Sequence, residues 1–160
     1  MQRRVLFNCQ FKKLKMKPFF ISFSVIVTLA LITSCKKDKG PDTATLIGTW
    51  ELSQAQNGMI PTITYPSGNG NILKFTSTTY ENYNNHILVK SGTYTIVVDT
   101  TVKETVGLEL PAGQYTTRII FDDNFTAPKI FLQIAGNNLY FLSGYFPTDG
   151  GSGTSYIKIN

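Results

Sequence analysis

From residue 46 to residue 160 the chain is a succession of short segments in which apolar and polar residues alternate. Successive side chains of a β-strand point to opposite faces, so this alternation predicts strands with one buried face. Gly, Asn, Asp and Pro separate the segments, and long helical periodicity is absent. The pattern predicts an all-β domain of eight or nine strands. An antiparallel up-and-down meander of this length either closes into a barrel or folds as a sandwich.

The predicted strands define the connecting loops. Ser91-Gly92 lies inside the fourth strand and predicts a β-bulge, because glycine accepts the positive φ that a bulge often needs. The segments 56–70 and 147–154 are rich in Gly and Pro and are expected to be loops, whereas 101–110 fits no element clearly. The predicted strands are 46–54, 71–76, 79–83, 86–99, 115–121, 130–135, 139–145 and 155–160.

The basic charge of the chain is confined to its N-terminus. The 160 residues carry 15 Lys and Arg against 10 Asp and Glu, a formal net charge of +5. Six of the cations and none of the acids lie within the first 35 residues. The remainder has nine cations and ten acids, so it has no basic excess to neutralise phosphates. This balance excludes nucleic-acid binding as its function.

The N-terminal segment has the pattern of a signal peptide. A cationic stretch, 1–17, precedes an apolar run of 14 residues, 19–32, interrupted only by two serines and a threonine. A helix that crosses a bilayer needs about 20 apolar residues, whereas a shorter run is typical of a signal-peptide core. Met16, immediately before Lys17, is an alternative start of the protein.

Small residues and a cysteine follow the apolar run. Ile32-Thr33-Ser34-Cys35 resembles the lipobox of bacterial lipoproteins, which is an aliphatic residue and two small residues before a cysteine. The resemblance implies cleavage before Cys35, attachment of fatty acids such as palmitate, and anchoring in a membrane. The alternative is an ordinary secretory signal with a chance cysteine. Cys9, the only other cysteine, lies in the leader, so no disulfide is expected in the mature chain.

The residues after Cys35 predict a tether and a compartment. Residues 36–43 include no large apolar side chain and therefore cannot bury any surface. The string Ser-Cys-Lys-Lys-Asp-Lys at 34–39 resembles lipoproteins of the Bacteroidetes, and the absence of Asp directly after the cysteine implies sorting to the outer membrane. Because the stretch is mostly basic, the periplasmic face is expected rather than the cell surface. The predicted divisions are a lipoprotein signal peptide, 1–34, a lipidated cysteine and flexible tether, 35–45, and a barrel domain, 46–160.

The first predicted strand contains Gly48-Thr49-Trp50, with the only tryptophan of the chain. Here the chain resembles the lipocalin-like domains of bacterial lipoproteins, whose first strand begins with Gly-x-Trp. The resemblance implies a closed barrel of about eight strands, in which Gly48 and Trp50 close one end and Lys158 packs over the indole ring. Further similar segments are 72–75, 91–96, 138–142 and 156–158.

No set of residues predicts catalysis, and no cofactor or metal site is expected. His86, the single histidine, stands at a predicted hairpin turn, where a solvated side chain is the simpler interpretation. Asp122-Asp123-Asn124 lacks the ligand spacing of a calcium loop and predicts a turn. A hydrolase would require two glutamates to converge in a cleft. The glutamates available to it are Glu51, Glu81, Glu104 and Glu109.

The barrel interior is the remaining candidate site, and it can either be filled by side chains or hold one small ligand. The alternation places eleven apolar residues inward: Leu52, Leu73, Phe75, Tyr94, Ile96, Ile119, Phe121, Ile130, Leu132, Leu139 and Phe141. The predicted ligand contacts among them are Phe75, Tyr94, Phe121, Leu132 and Phe141. The aromatic residues expected at the rim, on or next to the two predicted loops, are Tyr65, Tyr145 and Phe146.

These patterns together predict a binding function. We expect a monomeric, lipid-anchored envelope protein that is not an enzyme and that binds a small apolar molecule or a glycan. The alternative is a protein-interaction or inhibitor module with a packed core. Two triplets, 42–44 and 99–101, resemble the O-glycosylation motif of Bacteroidetes periplasmic proteins, which makes Thr43 and Thr100 candidate glycosylation sites.

Overall fold

The computed structural model describes residues 46–160, and the predicted signal peptide, Cys35 and tether lie outside that range. The described residues include one short helix, α1 (Val102–Val106), and one 3-10 turn (Phe146–Thr148). The remaining elements are strands. They are β1 (Gly48–Asn57), β2 (Ile63–Thr64), β3 (Ile72–Phe75), β4 (Thr79–Asn84), β5 (Ile87–Val98), β6 (Thr117–Phe121), β7 (Ile130–Ala135), β8 (Asn138–Ser143) and β9 (Ser152–Lys158).

The strands form a closed antiparallel barrel, which confirms the predicted fold class. From β3 to β9 each strand pairs with the next one along the chain. The first strand, β1, pairs with β3 on one side and with β9 on the other, and this double pairing closes the barrel of eight strands. The two-residue β2 extends the wall beside the last part of β1. Closure leaves no long unpaired edge at which another chain could add.

The two ends of the barrel differ. At one end, β1 begins and β9 finishes, and Trp50 is fully buried there with its indole N–H donating to the carbonyl of Leu46 over 2.7 Å. Lys158 Nζ lies 5.1 Å from the centre of the indole ring and donates to the carbonyl of Ile47. Gly48 has a φ of 140°, and a Cβ there would lie 2.6 Å from the carbonyl oxygen of Asn160. We call this the closed end.

The closed half of the barrel is filled by side chains. Ten of the eleven residues predicted to face inward belong to the main hydrophobic cluster or pack against it. The eleventh, Leu52, is only partly buried. Aromatic rings interlock within this cluster, since Phe75 and Tyr94 meet edge to face with their centres 5.2 Å apart. This packing supplies the stability that the domain needs, because residues 46–160 contain no cysteine.

A second, smaller cluster lies on the outer surface of the barrel. The helix α1 falls in the segment that the sequence left unassigned, and it packs Val102 and Val106 onto the outward-facing Phe131 of β7. Phe146 also packs here, so one of the predicted rim aromatics belongs to this cluster instead. Residues 46–160 therefore contain every strand of the closed barrel and both clusters, which is what a domain requires to fold on its own.

Two local predictions are corrected by the strand registers. The β4–β5 ladder shifts at Val89, which has no partner, rather than at Ser91-Gly92. Glycine is needed at position 92 for another reason: a Cβ there would collide with the carboxylate of Asp122. The last strand begins at Ser152, earlier than predicted, because it pairs along its length with both β8 and β1.

Candidate ligand-binding cup at the open end

Two adjoining cavities occupy the end opposite Trp50, which we call the open end. The deeper one, the cup, has a volume of about 290 Å³, and the outer one, the mouth cavity, measures about 460 Å³. Asn82 and Tyr156 line both. The cup is lined by Leu73, Tyr80, Asn82, Lys90, Phe121, Ile130, Phe141, Ser143, Thr154 and Tyr156. The mouth cavity is lined by Leu52, Tyr65, Asn71, Asn82, Tyr83, Asn84, Asn85, Val89 and Tyr156.

The cup combines apolar walls with a few polar groups. Leu73, Ile130 and the rings of Phe121 and Phe141 supply the apolar surface. The amide of Asn82 and the hydroxyls of several neighbours supply hydrogen-bonding groups. Burial raises the pKa of the Tyr156 phenol above its ordinary value, and the neutral hydroxyl can both donate and accept a hydrogen bond. The arrangement suits the burial of an apolar body whose orientation is set by a small number of hydrogen bonds.

The predicted ligand contacts divide into two groups. Phe121 and Phe141 line the cup. Phe75, Tyr94 and Leu132 are buried in the main cluster and do not line it. The hydroxyl of Tyr94 donates to the carbonyl of Thr76 over 2.7 Å, which directs this side chain toward the β3–β4 turn.

Sequence reasoning missed the polar wall of the cup because only apolar residues were assigned to the interior. The alternation itself contains the missing signal. On β4, Asn82 follows Tyr80 at the two-residue spacing of a single face, and on β8 Ser143 follows Phe141 in the same way. A polar residue that follows inward-facing apolar residues on the same face of a strand, near the open end, is therefore a candidate for the polar wall of a barrel cup.

Asp122 connects three parts of the barrel beside the cup. Its carboxylate accepts a hydrogen bond from the hydroxyl of Tyr80 over 3.0 Å and from the backbone N–H of Thr93, and it pairs with Lys90 Nζ at 2.8 Å. The hydrogen bond to Asp122 raises the pKa of Lys90, and the same contact lowers the pKa of Asp122. Lys90 is therefore a permanent cation at the edge of the cup.

A second carboxylate, Asp99, joins two cations on the outside of the barrel. It lies 2.9 Å from Lys129 Nζ and 3.3 Å from Arg118 Nε, and it accepts hydrogen bonds from the N–H and hydroxyl of Thr101. Burial of Asp99 opposes its ionisation, but the hydrogen bonds from Thr101 and Lys129 and the charge of Lys129 outweigh burial. They lower its pKa from 3.8 to about 2.

This shift predicts a loss of stability in acid. Folding favours the ionised form of Asp99, so its stabilisation is fully present above about pH 4 and disappears as the pH falls through about 2. The contribution near neutral pH is expected to be about 2 kcal/mol. Urea unfolding of wild type and Asp99→Asn should show that difference near neutral pH and a smaller one near pH 2. Asp123→Asn, on the exposed loop, is the control, and an Asp99→Asn effect independent of pH would contradict the prediction.

The groups considered for catalysis are separated or engaged elsewhere. His86 is exposed in the turn between β4 and β5. Glu51 is buried, and its carboxylate accepts the backbone N–H groups of Gly68 and Gly70, which holds the loop before β3. Within residues 46–160, no three His, Cys, Asp or Glu side chains lie close enough together to hold a metal ion.

None of the helices among the described residues is long and apolar enough to span a membrane.

The rim of the open end exposes aliphatic side chains. Met59 and Ile60, after β1, are 81% and 59% exposed, and the β4–β5 hairpin exposes Ile87, Leu88 and Val89. Neighbouring exposed apolar residues, as in each of these two segments, mark contact surfaces more often than isolated ones do. Of the predicted rim aromatics, Tyr65 lines the mouth cavity and Tyr145 is 46% exposed.

No protein-family model, no curated protein and no solved structure matches this chain. The geometry of the open end is therefore the main guide to the function of this protein.

Proposed function

We propose that this chain is a lipid-anchored binding protein of the cell envelope that holds a small, largely apolar molecule in the cup. The observation that carries the proposal is the cup itself, an apolar-walled space of about 290 Å³ next to the mouth cavity of about 460 Å³. Sites for small molecules typically measure about 300–1,000 Å³ and combine apolar walls with a few polar groups. The filled closed half gives this site a rigid floor.

The anchoring part of the proposal rests on Ile32-Thr33-Ser34-Cys35, and the outer membrane, at its periplasmic face, is the proposed location. Leu46, the first described residue, is at the closed end, where its carbonyl accepts a hydrogen bond from the indole N–H of Trp50. A tether from Cys35 would therefore enter the barrel at that end. Ten extended residues, 36–45, would allow the barrel to lie up to about 35 Å from the anchor.

A second candidate function is supported by the exposed rim. Met59, Ile60 and the hairpin tip at 87–89 expose apolar side chains, and Val89 among them also lines the mouth cavity. A protein partner could bury these side chains, and the domain would then serve as an interaction or inhibitor module. In that case occupancy of the cup would be unnecessary for its activity.

Native mass spectrometry of the protein purified from the cells that make it tests the first candidate. We expect a non-covalent small-molecule adduct. Ser143→Phe places a ring in the cup and should abolish the adduct, because the ring takes up the space of the ligand. The matched control is Thr95→Phe, which adds the same ring at an exposed position of β5 and should keep the adduct.

Two outcomes separate the candidates. A wild-type protein without adduct that also fails to bind decan-1-ol, decanoate and decylammonium in calorimetry would contradict the binding proposal. A protein partner that is lost with Leu88→Asp but retained with Ser143→Phe would support the interaction module, because only the rim would then be needed.

A further inference from the structure

A third cavity opens through the barrel wall between β6 and β7, and we call it the side pocket. The ladder between these strands ends at the pair Ile119 and Ile130, because the loop from Asp122 to Lys129 leaves the sheet. Pro128, which would come opposite Phe121 if the register continued, has no N–H to donate to the ladder. The resulting gap has a volume of about 260 Å³.

The side pocket gathers positive charge in a domain that is otherwise acidic. Residues 46–160 contain six Lys and Arg against eight Asp and Glu. Half of those six cations, Lys90, Arg118 and Lys129, line this one cavity. The only carboxylate among its lining residues is Asp122.

The carboxylates nearby neutralise this charge incompletely. Asp122 pairs with Lys90, and Asp99 is shared between Lys129 and Arg118, so three cations face two carboxylates. The Arg118 side chain is 19% exposed, and its Nε lies 3.3 Å from the Asp99 carboxylate without forming a hydrogen bond to it or to any other described residue. The charge of Arg118 is therefore only partly neutralised, and an additional anionic acceptor would be favourable beside it.

The side pocket adjoins the cup. Lys90, Phe121 and Ile130 line both cavities, so the two cavities meet at these residues. The cup offers apolar surface, and the side pocket offers cations. A single molecule with an apolar chain and an anionic end would match both in one pose.

We infer that the molecule bound by this protein is a small amphiphilic anion, with its apolar chain in the cup and its anionic group in the side pocket beside Arg118 and Lys129. This inference rests on the proposed function and adds the charge of the ligand to it. An anionic oxygen in the side pocket would accept hydrogen bonds from both cations, and such charge-assisted bonds are about twice as strong as neutral ones.

Calorimetry with three probes that share one alkyl chain tests the inference: decanoate, decan-1-ol and decylammonium, each below its micelle-forming concentration. The protein is residues 46–160, which contain the complete barrel. We expect decanoate to bind at least about tenfold more tightly than decan-1-ol, a difference of about 1.4 kcal/mol. Decylammonium should bind most weakly because of the cations.

Variants distinguish a binding role of the charges from a structural one. Lys129→Gln should weaken decanoate binding about tenfold and leave decan-1-ol binding unchanged. Asp122→Asn removes the carboxylate that competes with the ligand and should tighten decanoate binding, a gain that a merely damaged fold would not produce. Lys74→Gln is the control, since Lys74 pairs with Glu81 and lines neither the cup nor the side pocket.

The outcomes separate this inference from the proposed function. Equal affinity for decanoate and decan-1-ol would overturn the inference and leave the proposed binding function standing. Preferential binding of decylammonium would also overturn it. Binding of none of the three probes would overturn both.

Discussion

Replacing Trp50 by alanine is expected to lower the free energy of unfolding of residues 46–160 by about 3–5 kcal/mol. Trp50 is fully buried at the closed end, and its indole N–H holds the carbonyl of Leu46. The substitution removes the largest fully buried side chain and leaves a cavity between β1 and β9. It also leaves the Leu46 carbonyl and the Lys158 ammonium group without the indole that they contact.

Urea unfolding followed by far-ultraviolet circular dichroism measures this effect, since Trp50 is the only tryptophan and its fluorescence is lost in the variant. Phe125→Ala is the control. Phe125 is 60% exposed in the β6–β7 loop, and its replacement should change stability by no more than about 0.5 kcal/mol. If Trp50→Ala does not fold, Trp50→Phe keeps a ring and should show a smaller loss. Equal effects of Trp50→Ala and Phe125→Ala would contradict the assignment of the closed end.

Changing Cys35 to serine is expected to abolish fatty-acid attachment completely. If the lipobox resemblance is correct, this sulfur is the site of the thioether, and serine cannot form it. Two or more acyl chains hold a protein firmly in a bilayer, at roughly 0.8 kcal/mol for each buried CH₂. Metabolic labelling with an alkyne-tagged palmitate should therefore mark the wild type and leave Cys35→Ser unlabelled.

Cys9→Ser is the matched control, because Cys9 is the other cysteine and lies within the predicted leader, 1–34. It should keep the palmitate label of the wild type. Label that persists in Cys35→Ser would contradict lipidation at this position, and with it the proposed anchoring in the outer membrane. The ligand-binding part of the proposal would be unaffected, because it depends only on the barrel.

The strands were predictable because their signal is local. On β7 the prediction matches the observed Ile130–Ala135, and on β5 the ends differ by one residue. Residues that alternate toward one face of a sheet bury that face whatever the neighbouring strand is. The helix α1 was not predictable in this way, because its five residues become helical by packing Val102 and Val106 against Phe131, which lies far along the chain.

The cup was only half predictable. Alternation placed Phe121 and Phe141 inside the barrel, but it could not tell which inward residues would meet one another and which would face a space. The glycine at position 92 likewise predicted a bulge that is not there. Glycine is needed at this position because the carboxylate of Asp122, thirty positions later in the chain, approaches it closely. Contacts of this kind depend on how the strands are staggered, and a sequence pattern with a period of two holds no information about stagger.

The amino-acid sequence alone determined that this domain is an antiparallel β-meander with one mostly apolar face, because strand alternation and turn residues act over a few neighbouring positions. Closure into a barrel rather than a sandwich is decided by the pairing of β1 with β9. Only the tertiary structure decided that the barrel is filled beside Trp50 and hollow at the other end, and that Lys90, Arg118 and Lys129 meet at one gap in the wall. Those features arise where strands that are distant in the chain come together, and the volume left between them depends on every side chain at once.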